Sequence, residues 1–267
     1  PERSGHLVLD SAVDISVPSS PLLGVGGFEK ALQRFAEWCA GEASCSLGED
    51  RDAVLSRIDA FLKGLDATPV AVGERKLTQS VATLGLGAAL YGAESTYPQL
   101  ATALQRAMDG DGAEMLTYFG IMTGHDGNGW TTRTYASSAI FCVDRPDRGI
   151  EVAEKGVSDK AAEAPVFAAN LGTLPMCEYW TADSAPNLTL TAKGAGPILV
   201  IGATVDPVTP HDNSVAMAKQ LDSATLLTWE GSGHAVAFTG KSTCIDEAVV
   251  RYLTTGEVPA DGTSCPA

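Results

Sequence analysis

Pro197-Ile198-Leu199-Val200-Ile201-Gly202-Ala203-Thr204-Val205-Asp206 is a short, almost uninterrupted apolar run that opens on proline and closes on an acid. A run of that length with no polar alternation predicts a strand buried on both faces of a parallel sheet. In such sheets, ligands and chemistry gather outside the carboxyl ends of the strands, which is where Asp206 falls. After Pro207-Val-Thr-Pro210, the apolar positions Val215, Ala216, Ala218 and Leu221 follow helical spacing, and Ser223 to Trp229 predicts a second strand. That strand runs into Glu230-Gly-Ser-Gly-His234. Small residues ahead of His234 let the loop carry an imidazole over the sheet edge. There a carboxylate can fix its tautomer and stabilise the imidazolium.

Outward from this pair, residues 5–14 predict one more strand with a loop at its end, and no comparable buried strand is read between it and Pro197. The middle is helical by period, with helices expected over Phe28–Ala40, Glu49–Leu65, Lys76–Tyr91, Pro98–Met108 and Gly112–Met122. Ser46-Leu-Gly-Glu49 reads as a capping box, and Gly64, Gly92 and Gly110 as helix stops. Tyr135–Cys142 predicts a helix or a strand end, Asp144-Arg-Pro-Asp147 a turn, and a further helix runs to about Asn170. Residues 181–196, rich in Ala, Pro, Thr and Gly, read as a linker, and a last helix is expected over Ile245–Thr254. The resulting order is an α/β doubly wound sheet interrupted by a large helical insertion. Residues 1–14 and 191–267 form its core and 15–190 its cap.

The chain has 267 residues, 45% hydrophobic and 19% charged, and no stretch of membrane-spanning apolar length. A net charge of −15 argues against nucleic acid and anionic membrane as partners. Six cysteines, without a CxxC pair or zinc spacing, read as disulfides. Pairing in sequence order, Cys39 with Cys45, Cys142 with Cys177 and Cys244 with Cys265, brackets compact segments, although six cysteines allow about fifteen connectivities. Disulfides place the protein outside the cytoplasm. Asp109-Gly-Asp-Gly112 and Asp126-Gly-Asn-Gly129 begin like calcium loops but do not complete the ligand pattern, and read as turns. No metal or cofactor is implied. His6, His125 and His211 read as structural or solvated.

Asp206-Pro-Val-Thr-Pro210, Gly231-Ser-Gly-His234, the block from Cys244 to Pro259 and the terminal Gly262-Thr-Ser-Cys265 together resemble the C-terminal region of the secreted tripeptidyl aminopeptidases. These are α/β-hydrolase exopeptidases related to proline iminopeptidases. Pro1 to Asp10 resembles the family's strand after the nucleophile helix, and Ala139-Ile-Phe-Cys-Val-Asp144 a stretch of its cap. The resemblance implies Asp206 and His234 as members of a Ser-His-Asp triad and a peptide with a free N-terminus as substrate. Buried carboxylates would hold that substrate's ammonium, with Asp144 the first candidate and Glu178 and Glu94 behind it. Asp144 reads equally well as a turn-forming residue before Arg145-Pro146.

The family's nucleophile lies in a Gly-x-Ser-x-Gly elbow, and this sequence has none: Ser4, Ser95, Ser232 and Ser264 come nearest, and none has glycine two residues away on both sides. The chain order Ser, Asp, His puts the missing serine upstream of Pro1, on a segment expected to pair beside the Leu7 strand. An esterase of the same fold, or a non-catalytic module that kept it, are the competing expectations.

Overall fold

The computed structural model describes residues 3–14, 16, 25–144, 149–171, 177–183 and 190–267. In chain order, strand β1 (Leu7–Asp10) leads into helices α1 (Val25–Gly41) and α2 (Arg51–Ala67). A hairpin of β2 (Val70–Val72) and β3 (Arg75–Leu77) follows, then α3 (Gln79–Ala89), α4 (Tyr97–Met108), α5 (Ala113–Thr123), α6 (Thr132–Asp144), α7 (Ile150–Lys160) and α8 (Phe167–Leu171). The chain returns through β4 (Ile198–Val205), α9 (His211–Gln220), β5 (Ala224–Ser232), α10 (Thr243–Thr255) and β6 (Thr263–Pro266). Two compact units result, one of Pro1–Pro18 with Asn187–Ala267 and one of Ser19–Pro186.

The first unit is a sheet of order β1-β4-β5-β6, parallel at every pairing. Strand β4 is buried along six consecutive residues because helices cover both of its faces. Leu199, Ile201 and Ala203 point to the side of α10, among Ile245, Val249 and Tyr252. Ile198 and Val200 point to the other side, against Leu221 and Met217 at the end of α9. Gly202 allows that second helix to lie close, since a Cβ there would come within 2.8 Å of Ser214, whose hydroxyl donates to Ile201 O at 3.1 Å.

Tyr252 ties the start of the sheet together: its hydroxyl accepts from Leu7 N at 2.9 Å and donates to Pro197 O. His6 lies on its ring, 5.1 Å between centroids, and bonds Leu253 O through Nδ1. The fourth strand, β6, is a correction to the expected three-stranded core. The tail after α10 pairs with β5 and is bonded back through Cys244–Cys265.

The second unit is helical, with one small hairpin that the expected Lys76–Tyr91 helix overlooked. Gly73, at φ 60°, makes the tight turn that lets Val70–Val72 fold back on Arg75–Leu77, so α3 starts only at Gln79. Helix α2 is capped by Asp50, whose carboxylate accepts from Ala53 N at 2.8 Å, rather than by the expected Ser46 box. It runs through Gly64 to Ala67. Tyr135–Cys142 is helical, within α6, and the stretch to Asn170 is two helices instead of one. The expected turn beyond Asp144 and residues 184–189 of the linker lie outside the described residues.

Gly85 brings α3 onto α5, where a Cβ would meet Met115 O at 2.6 Å. Two buried polar side chains fix the short α8. Glu29 accepts from the amides of Val166 and Phe167 at 3.1 and 3.0 Å. Asn170 bonds Asp59, Gln79 and Val166 O, joining α2, α3 and α8. Burial raises the Glu29 carboxyl above its ordinary range, against the pull of the two amides.

Tyr252→Phe removes a buried hydroxyl with two partners, leaving Pro197 O and Leu7 N without it. The expected loss is about 1–3 kcal/mol of stability, read from the shift in urea midpoint at unchanged slope.

Candidate active site

Parallel pairing of β4 with β5 sets Ala203 opposite Trp229 and, after an irregularity, Val205 opposite Ser232. The residues that follow, Asp206 on one strand and Gly233-His234 on the other, therefore leave the sheet side by side. Gly233, at φ 134°, donates to Val205 O at 3.0 Å and turns the chain so that the imidazole faces the acid. Gly231 is needed just before, because a Cβ there would overlap the Trp229 ring at 2.2 Å.

His234 Nδ1 lies 3.1 Å from both carboxylate oxygens of Asp206. The Asp206 side chain is fully buried, whereas that of His234 is 27% exposed. Asp206 Oδ1 also accepts from Val208 N at 2.8 Å and Thr209 N at 2.9 Å, in a turn that precedes α9. Oδ2 accepts from the hydroxyls of Thr209 and Ser11, both at 2.9 Å.

Burial alone would raise the Asp206 carboxyl. The bond to His234, the Thr209 and Val208 amides and the attraction of the imidazole outweigh it and hold the group below its ordinary value of 3.8. An ionised acid facing Nδ1 accepts a hydrogen bond from that nitrogen and so keeps the proton there, which leaves Nε2, on the far side of the ring, as the basic one. Such a pair can take a proton from a hydroxyl presented to Nε2 and hold the resulting charge.

Four participants were not singled out in the sequence. Asp10 Oδ2 accepts from Val236 N and Ala237 N at 2.8 and 2.9 Å, and Ser11 Oγ accepts from Ala235 N at 3.0 Å. Lys241 Nζ donates to His234 O and Ala235 O, each at 2.7 Å. Burial lowers the Lys241 ammonium while Asp10 and Asp206 pull it up. Thr209 is the fourth. The signal for Asp10 and Ser11 was an acid and a hydroxyl directly after the apolar Leu7-Val-Leu9, the same strand-end position as Asp206.

Asp144 ends α6 with an exposed side chain, two residues from the Cys142–Cys177 disulfide. Glu94 is paired with Arg34 at 2.6 Å, and Glu178 is exposed. His211 bonds Thr228 Oγ1 at 2.9 Å, and His125 Nδ1 accepts from Gly127 N at 3.0 Å. The cysteines are joined Cys39–Cys45, Cys142–Cys177 and Cys244–Cys265, which fits an oxidising compartment.

A doubly covered parallel sheet with an acid and a histidine at the ends of consecutive strands defines an α/β-hydrolase fold. Residues 164–265 match the family described as TAP-like protein. It is 30% identical to Serine protease Hip1 of Mycobacterium tuberculosis and of Mycobacterium bovis, over 99% of this chain and 54% of the relative. To Carboxylesterase B of Mycobacterium tuberculosis it is 29% identical, over 97% of this chain and 51% of the relative. The chain therefore spans about half the length of these relatives.

Because the Asp206 carboxyl is depressed in the folded state, the stability it contributes is complete above its unfolded pKa and is lost as pH falls through the lower, folded one. Asp206→Asn should be less stable than the wild type at pH 7 by about 2 kcal/mol. The gap should narrow as the pH drops below 3.8, which thermal melts at a series of acid pH values will read.

Proposed function

We propose that this chain supplies the aspartate and histidine of a Ser-His-Asp triad in a secreted serine peptidase, with the nucleophilic serine on a segment outside these 267 residues. The observation that carries the reading is the ionised Asp206 held across Nδ1 of His234 at adjacent strand ends, in a chain with no Gly-x-Ser-x-Gly elbow. The match of residues 164–265 to the TAP-like family and likeness to a protein named a serine protease support it. In this reading Nε2 of His234 takes the serine proton as the oxygen attacks the scissile carbonyl. The imidazolium then gives that proton to the departing amine, and water, activated by the same nitrogen, releases the acyl group.

The substrate class follows from the resemblance: short peptides, tripeptides in particular, removed from free N-termini. Asp144 is the proposed partner of the substrate's ammonium, in a helical cap of residues 15–190. An esterase acting through the same pair is the second reading, favoured by the relative named Carboxylesterase B.

The 267-residue chain alone should neither hydrolyse peptide or ester reporters nor react with a fluorophosphonate probe, and adding the serine-bearing segment should restore both. Probe labelling of a serine in the isolated chain overturns the proposal. In the completed protein, Asp206→Asn should lower kcat by about 10⁴ and His234→Ala by about 10⁶. Aminoacyl-naphthylamides should be cleaved in preference to acyl esters; the reverse preference selects the esterase. Asp144→Asn should raise KM for free-amine peptides with little change in kcat.

A further inference from the structure

Ser11 is the first residue after β1 and continues its ladder, donating from its amide to Ile201 O at 3.0 Å. Its φ is +59°, in the left-handed region where a side chain is disfavoured. Glycine would adopt that backbone without strain, so what serine adds is a hydroxyl. The hydroxyl is nearly buried and has both of its roles filled. It donates to Asp206 Oδ2 at 2.9 Å, with Asp10 Oδ1 a longer contact at 3.4 Å, and accepts from Ala235 N at 3.0 Å.

Ala235 follows His234 directly and is itself left-handed, at φ +54°. Two strained residues from distant parts of the sequence are therefore joined through one oxygen, with the acid on one side and the histidine's own loop on the other. Strain of this kind persists only where surrounding bonds over-determine it. Here they do: Asp10 holds the next two amides of the loop, and Lys241 holds the carbonyls of His234 and Ala235.

We propose that Ser11 is a positioning residue that sets the distance and facing of Asp206 and His234, its hydroxyl bridging the carboxylate to the loop amide that follows the imidazole. It is not a nucleophile in this arrangement, since its oxygen is bonded to the carboxylate and to an amide. The consequence for catalysis rests on the triad reading above; the effect on the imidazole does not.

The test uses the 267-residue chain labelled with ¹⁵N, as wild type, Ser11→Gly and Ser11→Ala. The readouts are the His234 tautomer from two-bond ¹H–¹⁵N correlations and the exchange rates of individual loop amides. Ser11→Gly relieves the strain and removes only the bridge. The neutral imidazole should then shift from a single Nδ1–H form toward a mixture. The Ala235 amide should exchange about tenfold faster, while Val236 and Ala237, held by Asp10, keep their protection. If Ser11→Gly does not fold, Ser11→Ala reads the same two signals with the backbone strain retained. A wild-type tautomer and wild-type Ala235 exchange overturn the proposal, and so does faster exchange spread evenly over the sheet, which marks a merely structural residue. In the completed protein Ser11→Gly should lower kcat about tenfold at unchanged KM. An active His234→Ala there sinks the triad reading by itself; an inactive His234→Ala with an undisturbed Ser11→Gly sinks only the positioning role.

Discussion

The register of β4 against β5 is the constraint on which the site depends. Because the strands are parallel neighbours, their carboxyl ends lie at one edge, and the pairing of Val205 with Ser232 makes Asp206 and His234 emerge as neighbours. A shift by one residue would exchange the faces of each strand. Leu199 and Ile201 would leave the α10 side for the α9 side, so the packing of both faces enforces the register that aligns the acid with the histidine. Core packing and site geometry thus depend on the same register.

Beyond the sheet edge the chain has no ladder to hold it, and other devices take over. The loop after His234 carries left-handed residues at Ala235 and Phe238. Each has its amide tied to a side chain: Ala235 to Ser11, and Phe238 to Asp246 at 2.7 Å. Lys241 supplies a positive charge to two carbonyls from within the same loop. An otherwise irregular segment is thereby given the precision that an imidazole needs if it is to face a buried carboxylate.

The α/β class, the return strand at Ile198, the helix after it and the positions of Asp206 and His234 were legible because each rests on a local pattern: an apolar run, a 3.6 period, glycines before a histidine. The hairpin at Val70–Leu77 was not, since strands of three residues are too short to show alternation and Lys76 fits a helical period equally well. The start of α2 was misread because two residues able to cap it, Ser46 and Asp50, lie four apart, and the structure uses Asp50. Strand β6 was missed because Thr263–Pro266 has no buried-strand character of its own. It pairs where α10 and the Cys244–Cys265 bond leave it.

By itself the sequence determined that an acid and a histidine close two consecutive strands, because strand length and side-chain type are local properties of the chain. Only the tertiary structure decided what surrounds them. Ser11 and Asp10 lie more than 190 residues from Asp206 in the chain, yet Ser11 donates to its carboxylate and both residues hold the histidine loop. Nothing local to Leu7-Val-Leu-Asp-Ser11 encodes that meeting; it follows from β1 pairing beside β4, which brings their carboxyl ends to the same edge.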